Sequence, residues 1–284
     1  LSRRELVRLS LMTAIASLAC RRSPPLSSSS GVASLSSSNP VGFGPLIPDP
    51  NGVFDLPLGF SYVVVQRAGS MMSCGNRVPS QPDGMTCHLD GAGHYVLLRN
   101  HELSDREWTS QRGPGNDIDF YVDGVSPDLA YDPTMLGGVT RVVLDLELLD
   151  AAVADGTAGE APVLSSNLVL TGTEFNCSGG HIPGGWVSCE ETDREGHGYA
   201  FSTRIDDENL VDPHERRIDS WGRLKREGVT LHPDTHVVYM TEDHGQGCFY
   251  RFVPDDPTDF MGTGRLQAMA LDGIVDTDPD AYRE

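Results

Sequence analysis

Short β-type segments dominate this sequence from residue 60 onward. Nine apolar runs, rich in Val, Leu and aromatic residues, are separated by clusters of Gly, Pro, Asp and Asn. The runs are FSYVVVQ, HYVLLRN, GVTRVVLDLE, NLVLTGT, GWVSCEE, GYAFSTR, THVVYMTED, CFYRFVP and GRLQAMAL. Long stretches of helical periodicity are absent, so the pattern predicts an all-β chain of short antiparallel strands, in a sandwich, a barrel or a propeller.

A repeated arrangement of acidic residues favours the propeller. Three of the runs end in acids or lead directly into one, at Glu102, at Glu190 and Glu191, and at Glu242 and Asp243. A second polar residue lies 13 to 19 residues before the first acid of each run. These residues are Asp83, Cys177 and Glu227. The steps of 89 residues from Glu102 to Glu191 and 51 from Glu191 to Glu242 are close to two blades and one blade. Innermost strands of successive blades converge on one axis, so these side chains can share a site. The alternative is that acids simply end strands at turns.

The acidic strand ends and Cys177 together have the composition of a metal site. Several carboxylates in one small volume stay ionised only when a cation neutralises them. Calcium accepts such oxygens in loose geometry, and a thiolate would add a softer ligand suited to iron or zinc. Two other interpretations of Cys177 stay open, a buried free thiol and a nucleophile with His181 as its base. The sequence has no Walker, dinucleotide-binding, HExxH or GxSxG motif.

Charge and the N-terminus indicate where the protein works. The 284 residues carry a formal net charge of −20, which disfavours nucleic acid and anionic membrane surfaces as partners. The segment SRRELVRLSLMTAIASLAC has paired arginines before an apolar run that is too short to span a bilayer. It predicts a twin-arginine-type signal peptide over residues 1–20, read by the twin-arginine export machinery, rather than an amphipathic first helix. Cys20, after Leu18 and Ala19, is a weak candidate for a lipid attachment site, because Ser17 is a poor match to the leucine that is usual there.

The rest of the chain divides into a linker and a domain. The Ser/Pro-rich residues 21–42 predict a disordered linker. Residues 43–284 predict a β-propeller domain that is incomplete at its C-terminus, in a periplasmic or extracellular protein. Five cysteines follow the predicted signal peptide. In an oxidising compartment, Cys74 and Cys87 are candidates for a disulfide that closes the loop CGNRVPSQPDGMTC.

An ordered series of segments resembles one known family. The segments are FGPLIPDPNGVFDLPLGFSYVVV, PDGM, RNHEL, YDPTMLGGVTRVVLDL, GTEFNCSGGHIPGGWVSCEET, HGYAF, GRLKREGVTLHPDTHVVYMTEDHGQGCFYRFVP and LQAM. Over about residues 43 to 270 they resemble the PhoX-type alkaline phosphatase family. The resemblance implies a secreted six-bladed β-propeller whose active site holds iron and calcium and hydrolyses phosphate monoesters, with a metal-bound oxide or hydroxide as nucleophile.

The resemblance also assigns site residues. It makes Cys177 an iron ligand and Glu227 a cluster carboxylate. Further acidic positions that match the family are Glu102, Glu190, Glu191, Glu242 and Asp243. The chain departs from the family at Arg226, where a histidine is common. Two alternative functions stay open: a calcium-dependent, lactonase-like propeller hydrolase of another ester class, and a non-catalytic extracellular propeller stabilised by calcium.

Overall fold

The computed structural model describes residues 42–112, 125–155 and 162–272. The predicted signal peptide (1–20) and nearly all of the predicted linker (21–42) lie outside the described residues. The helices are α1 (Arg106–Arg112), α2 (Leu146–Asp155) and α3 (Pro213–Arg216). The strands are β1 (Leu46–Ile47), β2 (Leu56–Pro57), β3 (Pro82–Leu89), β4 (His94–His101), β5 (Gly137–Asp145), β6 (Val163–Thr173), β7 (Asn176–Ile182), β8 (Gly185–Glu190), β9 (Ala200–Arg204), β10 (Arg226–Leu231), β11 (Val238–Glu242), β12 (Tyr250–Pro254) and β13 (Gly264–Ala268).

The predicted all-β class is confirmed. Strands β3-β4-β5-β6 form the first of three larger antiparallel sheets, β7-β8-β9 the second and β10-β11-β12-β13 the third, and β1 pairs with β2. Consecutive strands are neighbours throughout, as in the blades of a propeller. None of the helices in the described part of the chain has the length and hydropathy to span a membrane.

The chain splits into two compact units. The smaller unit comprises residues up to 66 together with 145–162, and it contains the β1–β2 pair and α2. Its turn is organised by Asp49, whose carboxylate accepts hydrogen bonds from the backbone of Asn51 and Val53 and from the Tyr62 hydroxyl. These hydrogen bonds, that of Tyr62 first, lower the pKa of Asp49. The larger unit comprises residues 67–144 and 163 onward, and it contains the three larger sheets.

In the larger unit, the innermost strands of the sheets lie side by side. A Cβ added to Gly84 on β3 would lie 2.8 Å from the carbonyl oxygen of Cys177 on β7. A Cβ added to Gly180 on β7 would overlap the carbonyl oxygen of Val229 on β10. Glycine is therefore required where backbone meets backbone, and β7 is in contact with β3 on one side and with β10 on the other.

Two apolar cores fill the spaces between the sheets. The core between the first and second sheets contains Leu98, Val139, Val169, Leu170, Trp186 and Phe201. The core between the second and third sheets contains Val187, Cys189, Trp221, Val238, Met240 and Phe252, among others. Because both faces of the second sheet are covered, all six residues of β8 are buried. The sheets therefore hold the ends of their strands in fixed positions.

The sequence patterns located most outer strands and missed the inner ones. Eight of the nine apolar runs contain a strand, whereas FSYVVVQ has only an isolated bridge position. The innermost strands β3, β7 and β10 were not predicted, since their sequences PDGMTCHL, NCSGGHI and REGVTL are polar and rich in glycine. Helix α2 was also missed.

Candidate metal centre

Each innermost strand contains an extra residue near its start. On β7, Asn176 faces Glu190 of β8, but Gly179 faces Ser188. The three-residue advance from Asn176 to Gly179 on β7 thus pairs with a two-residue advance from Glu190 to Ser188 on β8. This extra residue makes a β-bulge on β7, and Cys177 lies within it. The same shift occurs between Pro82 and Met85 on β3 and between Arg226 and Val229 on β10. Asp83, Cys177 and Glu227 therefore occupy equivalent positions.

A backbone hydrogen bond beside each bulge identifies the equivalent acid on the next strand. The three bonds run from Glu102 N to Gln81 O (2.9 Å), from Glu191 N to Phe175 O (2.9 Å) and from Asp243 N to Lys225 O (3.0 Å). Each acceptor lies two residues before the bulge residue. The acids in equivalent positions are thus Glu102, Glu191 and Asp243.

The first and second sheets bring three ligand-type side chains together. Glu102, Cys177 and Glu191 each offer one oxygen or sulfur atom, and these atoms all lie within 4.8 Å of one another. All three residues are half-buried. They come from the residue after β4, the bulge of β7 and the residue after β8, so the group forms only when the two sheets pack together. A thiolate with two carboxylates suits iron or zinc, and the carboxylates alone suit calcium.

The electrostatics of this group favour a bound cation. Burial raises the pKa of the Cys177 thiol far above its usual range, and a hydrogen bond with Glu191 and the charges of Asp83 and Glu102 raise it further. A thiol among carboxylates loses its proton when a metal ion neutralises the surrounding negative charge. The geometry therefore suits metal coordination better than a free thiolate nucleophile.

Asn100 fixes the bulge that carries Cys177. Its side-chain amide donates to the carbonyl oxygens of Cys177 (3.1 Å) and Ser178 (2.8 Å), and its own oxygen accepts from Trp186 Nε1 (2.8 Å). Asn100 is fully buried on β4, so these bonds join the first sheet to the second next to the candidate ligands. The amide of Asn100 thus positions the backbone from which the thiol projects.

Glu190 is placed differently from its neighbour Glu191. It is fully buried, and Oε1 accepts from Glu174 N (2.9 Å) and bonds His197 Nδ1 (2.7 Å). Oε2 accepts from Gly198 N (2.8 Å) and Tyr199 N (3.0 Å). Four hydrogen bonds use the lone pairs of this carboxylate. The hypothesis that Glu190 is a ligand is therefore not supported, because the bulge turns Glu190 into the sheet and Glu191 toward Cys177.

His197 completes this buried arrangement. Its second ring nitrogen lies 3.4 Å from the carboxylate of Asp132. Burial alone would lower the pKa of His197, but the hydrogen bonds to Glu190 and Asp132 and the negative charges of Glu190 and Glu174 outweigh it and raise the pKa. The imidazole, held between the carboxylates of Glu190 and Asp132, fixes the chain that follows Glu191.

A second buried carboxylate braces the same region. Glu174, just before β7, accepts hydrogen bonds from Ser104 Oγ (2.6 Å) and Thr192 Oγ1 (2.9 Å) and pairs with Arg194 (2.8 Å). Ser104 follows Glu102 by two residues and Thr192 follows Glu191 by one. The hydrogen bonds of Glu174 therefore hold the two segments that carry the candidate carboxylate ligands.

The third sheet presents its acids in a more open setting. Glu227 and Asp243 are exposed. Lys225 Nζ donates to Asp243 Oδ2 and to Glu191 Oε1, both at 3.1 Å. Burial alone would lower the pKa of Lys225, but these two hydrogen bonds outweigh it and raise the pKa. The lysine therefore links the third sheet to the group around Cys177.

Glu242 and Arg226 form the ladder pair of the third sheet. Glu242 Oε2 accepts from Tyr250 Oη (2.8 Å) and Cys248 N (3.3 Å), so its role is within the sheet. Arg226 is fully buried, and Nη2 donates to two backbone carbonyls. Its Nη1 has no hydrogen-bond partner among the described residues. Asp243 is therefore the acid of its pair that lies closest to the candidate site, and Arg226 belongs to the core.

The structure does not contain the predicted disulfide between Cys74 and Cys87, and both residues are free thiols in it. Cys74 is exposed in a turn that backbone bonds close, from Gly75 N to Met72 O (3.0 Å) and from Met72 N to Asn76 O (2.8 Å). Cys87 lies in the middle of β3, where burial raises its pKa to about 11. The loop is thus held by hydrogen bonds and strand pairing.

His181 does not act as a base for Cys177. The two residues are four apart on one strand, which separates them by about 13 Å along β7. His181 Nδ1 bonds Thr86 Oγ1 (2.8 Å), and its ring stacks on that of His88 with centroids 4.4 Å apart. The cysteine-nucleophile alternative is therefore not supported.

Sequence reasoning named Asp83 among the polar residues that precede the acidic strand ends but did not assign it as a ligand. It overlooked three further residues that the structure places around the site, Asn100, His197 and Lys225. These three contact the site through tertiary packing, across 34 residues in the case of Lys225 and Glu191.

Comparisons with known proteins identify the family of this chain. A family model described as alkaline phosphatase PhoX matches residues 41–278. A comparison with curated protein sequences found no significant match. Among solved structures, Pseudomonas fluorescens PhoX in complex with vanadate, a transition state analogue, is similar at 16% identity with a TM-score of 0.42. The similarity covers 71% of this chain and 47% of that one, so this chain spans about half the length of that PhoX. Since the family model matches well over half of the sequence, the chain belongs to the PhoX alkaline phosphatase family.

Proposed function

We propose that this protein is a secreted, metal-dependent phosphatase that hydrolyses phosphate monoesters. The observation that carries the proposal is the group of Glu102, Cys177 and Glu191 in a chain of the PhoX family. A calcium-only ester hydrolase has no need of a thiol in this group, and the fit of the thiol to iron favours the phosphatase over that alternative.

The donor set divides between two kinds of metal. Cys177 would bind iron, with Glu102 and Glu191 as carboxylate ligands beside it. The carboxylates in equivalent positions of the repeat, Asp83, Glu227 and Asp243, would hold calcium. When bound, such ions supply positive charge that stabilises the phosphoryl oxygens as negative charge develops on them.

The chain's own residues would hold the ligands still and leave one side of the site open. The buried carboxylates Glu174 and Glu190 fix the segments on either side of the ligands. Exposure of Glu227 and Asp243 keeps the third-sheet side accessible to a small substrate. Catalysis then depends mainly on preorganised charge, and no side chain has to become phosphorylated.

The test is an assay of the full-length protein with p-nitrophenyl phosphate, with added calcium and with or without a chelator, together with metal analysis. We expect hydrolysis that the chelator abolishes, and iron together with calcium in the active protein. Bis(p-nitrophenyl) phosphate and a lactone serve as control substrates. Absence of phosphatase activity in metal-replete protein would overturn the proposal. Calcium without iron, with lactone hydrolysis, would support the lactonase-like alternative, and calcium without any hydrolysis the non-catalytic propeller.

Export by the twin-arginine route is part of the same proposal. It rests on the sequence of residues 1–20, which includes Arg3 and Arg4. Replacement of both arginines by lysine should retain the protein in the cytoplasm, as measured by cell fractionation. An unchanged exported fraction would argue for another route.

A further inference from the structure

The chain contains twenty arginines and a single lysine, Lys225. Every other permanently cationic side chain is therefore an arginine, including Arg204, which pairs with Asp206 on the surface. Lysine differs from arginine in presenting a compact ammonium on a flexible four-carbon stem. Such a group can move between partners more easily than a planar guanidinium that binds a carboxylate with two parallel bonds.

The single lysine lies at the candidate site. Its Nζ donates to Glu191 Oε1 and to Asp243 Oδ2, both at 3.1 Å. Glu191 belongs to the group with Cys177, and Asp243 occupies the equivalent position of the third sheet. The ammonium thus links Glu191 and Asp243, which occupy equivalent positions in the second and third sheets. Its side chain is 31% exposed, which leaves it within reach of a small anion in solution.

The backbone at this position also departs from the repeat. The equivalent residues of the first and second sheets, Gln81 and Phe175, have φ values of 50° and 47°, in the left-handed region. Lys225 is not among the described residues with positive φ. The third repeat therefore keeps the hydrogen bond to the following acid but turns its side chain into the site.

Lys225 and a metal ion would compete for the same carboxylates. A cation held by Glu102, Cys177 and Glu191 would share Glu191 with the ammonium, and two positive charges a few ångströms apart repel each other. The carboxylate lone pairs that bind Lys225 would also be needed for coordination. Metal binding would therefore displace the ammonium, and its flexible stem lets it stay beside the site.

We infer that Lys225 changes partners when metal and substrate bind: a divalent cation takes Glu191 and Asp243 from it, and the released ammonium donates hydrogen bonds to the phosphate group of the substrate. The inference rests on the proposed function. It assigns to Lys225 the recognition of a phosphate dianion beside the group of Glu102, Cys177 and Glu191.

Because Lys225 is the single lysine of the chain, its movement can be followed directly. Biosynthetic incorporation of ¹³C,¹⁵N-lysine labels this side chain and keeps all three of its N–H donors. The variant Lys225→Gln identifies the lysine signal by its loss. We expect calcium to shift this signal, and orthophosphate to shift it further only when calcium is present. A signal that calcium moves but orthophosphate leaves unchanged would overturn the phosphate contact.

Kinetics and metal affinity give a second readout. In Lys225→Gln we expect KM for p-nitrophenyl phosphate and Ki for orthophosphate to rise about tenfold, as for the loss of one charge-assisted hydrogen bond. The value of kcat should stay within about threefold. The Kd for calcium should fall about threefold or more, since a competitor is gone. Opposite changes in phosphate and calcium affinity separate this role from a structural one, which would weaken both.

Two control variants complete the experiment. Lys225→Arg keeps the charge and should recover part of the phosphate affinity, and Arg204→Gln, at an exposed ion pair, should change nothing. An active wild-type enzyme with unchanged KM and Ki in Lys225→Gln would overturn the role of Lys225 and leave the proposed function standing. An inactive metal-replete wild type would instead overturn the proposed function.

Discussion

The second and third sheets end in the same backbone arrangement with different surroundings. In both sheets, the innermost strand has a bulge residue, and an acid lies at the equivalent position at the end of the next strand. Cys177 and Glu191 are half-buried against the first sheet, whereas Glu227 and Asp243 are exposed, and Lys225 pairs with Asp243. Register thus places potential ligands in every sheet, and packing against a neighbouring sheet turns one set into a compact donor group.

Replacing the bulge residues should have the largest effect and tests this comparison directly. Cys177→Ser should lose iron and reduce phosphatase activity by more than about 100-fold, because even groups outside the direct ligands are commonly worth 10-fold to 100-fold. Glu227→Gln should lose calcium and reduce activity less. Both are measured by metal analysis and hydrolysis of p-nitrophenyl phosphate. Equal activity in Cys177→Ser and wild type would mean that the thiol only packs.

Glu190 and Glu242, the acids that pair within the sheets, should affect the stability of the protein rather than its activity. Glu190→Gln places an amide donor against the backbone donors of Gly198 and Tyr199, so we expect a loss of about 3 kcal/mol in the free energy of unfolding. Glu242→Gln, in the half-buried pair with Tyr250, should lose about 1 kcal/mol. Urea denaturation measures both. Similar losses in the two variants would contradict the difference in burial.

Glycine-to-alanine substitutions at equivalent bulge positions compare the packing of the sheets. Gly84→Ala would bring Cβ to 2.8 Å from the backbone of Cys177 and Ser178 and should lower stability by about 1–3 kcal/mol. Gly228→Ala would meet only Thr241 Oγ1 at 3.2 Å and should stay within about 0.5 kcal/mol. Thermal unfolding distinguishes them. A neutral Gly84→Ala would show that the first and second sheets are less tightly packed than the structure indicates.

The smallest predicted effect concerns pH. Burial, with charge repulsion from His181, lowers the pKa of His88, and burial lowers that of His181. The unfolded chain then binds more protons than the folded one, so stability is complete above about pH 6.5 and decreases as pH falls below it. The slope should stay below about 1.4 kcal/mol per pH unit for each ring, because both remain partly exposed.

The control for the pH prediction is a variant that removes one ring of the stacked pair His88 and His181. His181→Gln removes one of the two rings between the first and second sheets and should flatten the dependence of unfolding free energy on pH between 5 and 7. The contact between the second and third sheets at Gly180 and Val229 contains no titratable group. An unchanged slope in His181→Gln would assign the acid sensitivity to other residues.

The sequence predicted the fold class and the approximate location of the site. Apolar runs with acidic ends identified the outer strands and the positions of Glu102, Glu191 and Asp243. The innermost strands carry the polar chemistry and the close backbone contacts, so their sequences lack the apolar alternation on which strand prediction depends. The residues that determine the function are for that reason the hardest to place in a strand.

The choice between adjacent acids could not be made from sequence. Alternation along a strand predicts that Glu190 and Glu191 point to opposite faces, but a bulge on the partner strand decides which face belongs to the site. The positions of Lys225 and Asn100 depend on contacts between sheets. The same limit applies to the predicted disulfide, because the spacing of Cys74 and Cys87 along the chain does not show that backbone hydrogen bonds close the turn at Cys74.

The bulge also has an evolutionary consequence. Because the extra residue projects from the strand without taking part in the ladder, its identity can change while the sheet keeps its hydrogen bonds. Aspartate, cysteine and glutamate already occupy this one position in three sheets. A lineage can therefore exchange hard for soft metal ions one sheet at a time, by single codon changes, on an unaltered scaffold.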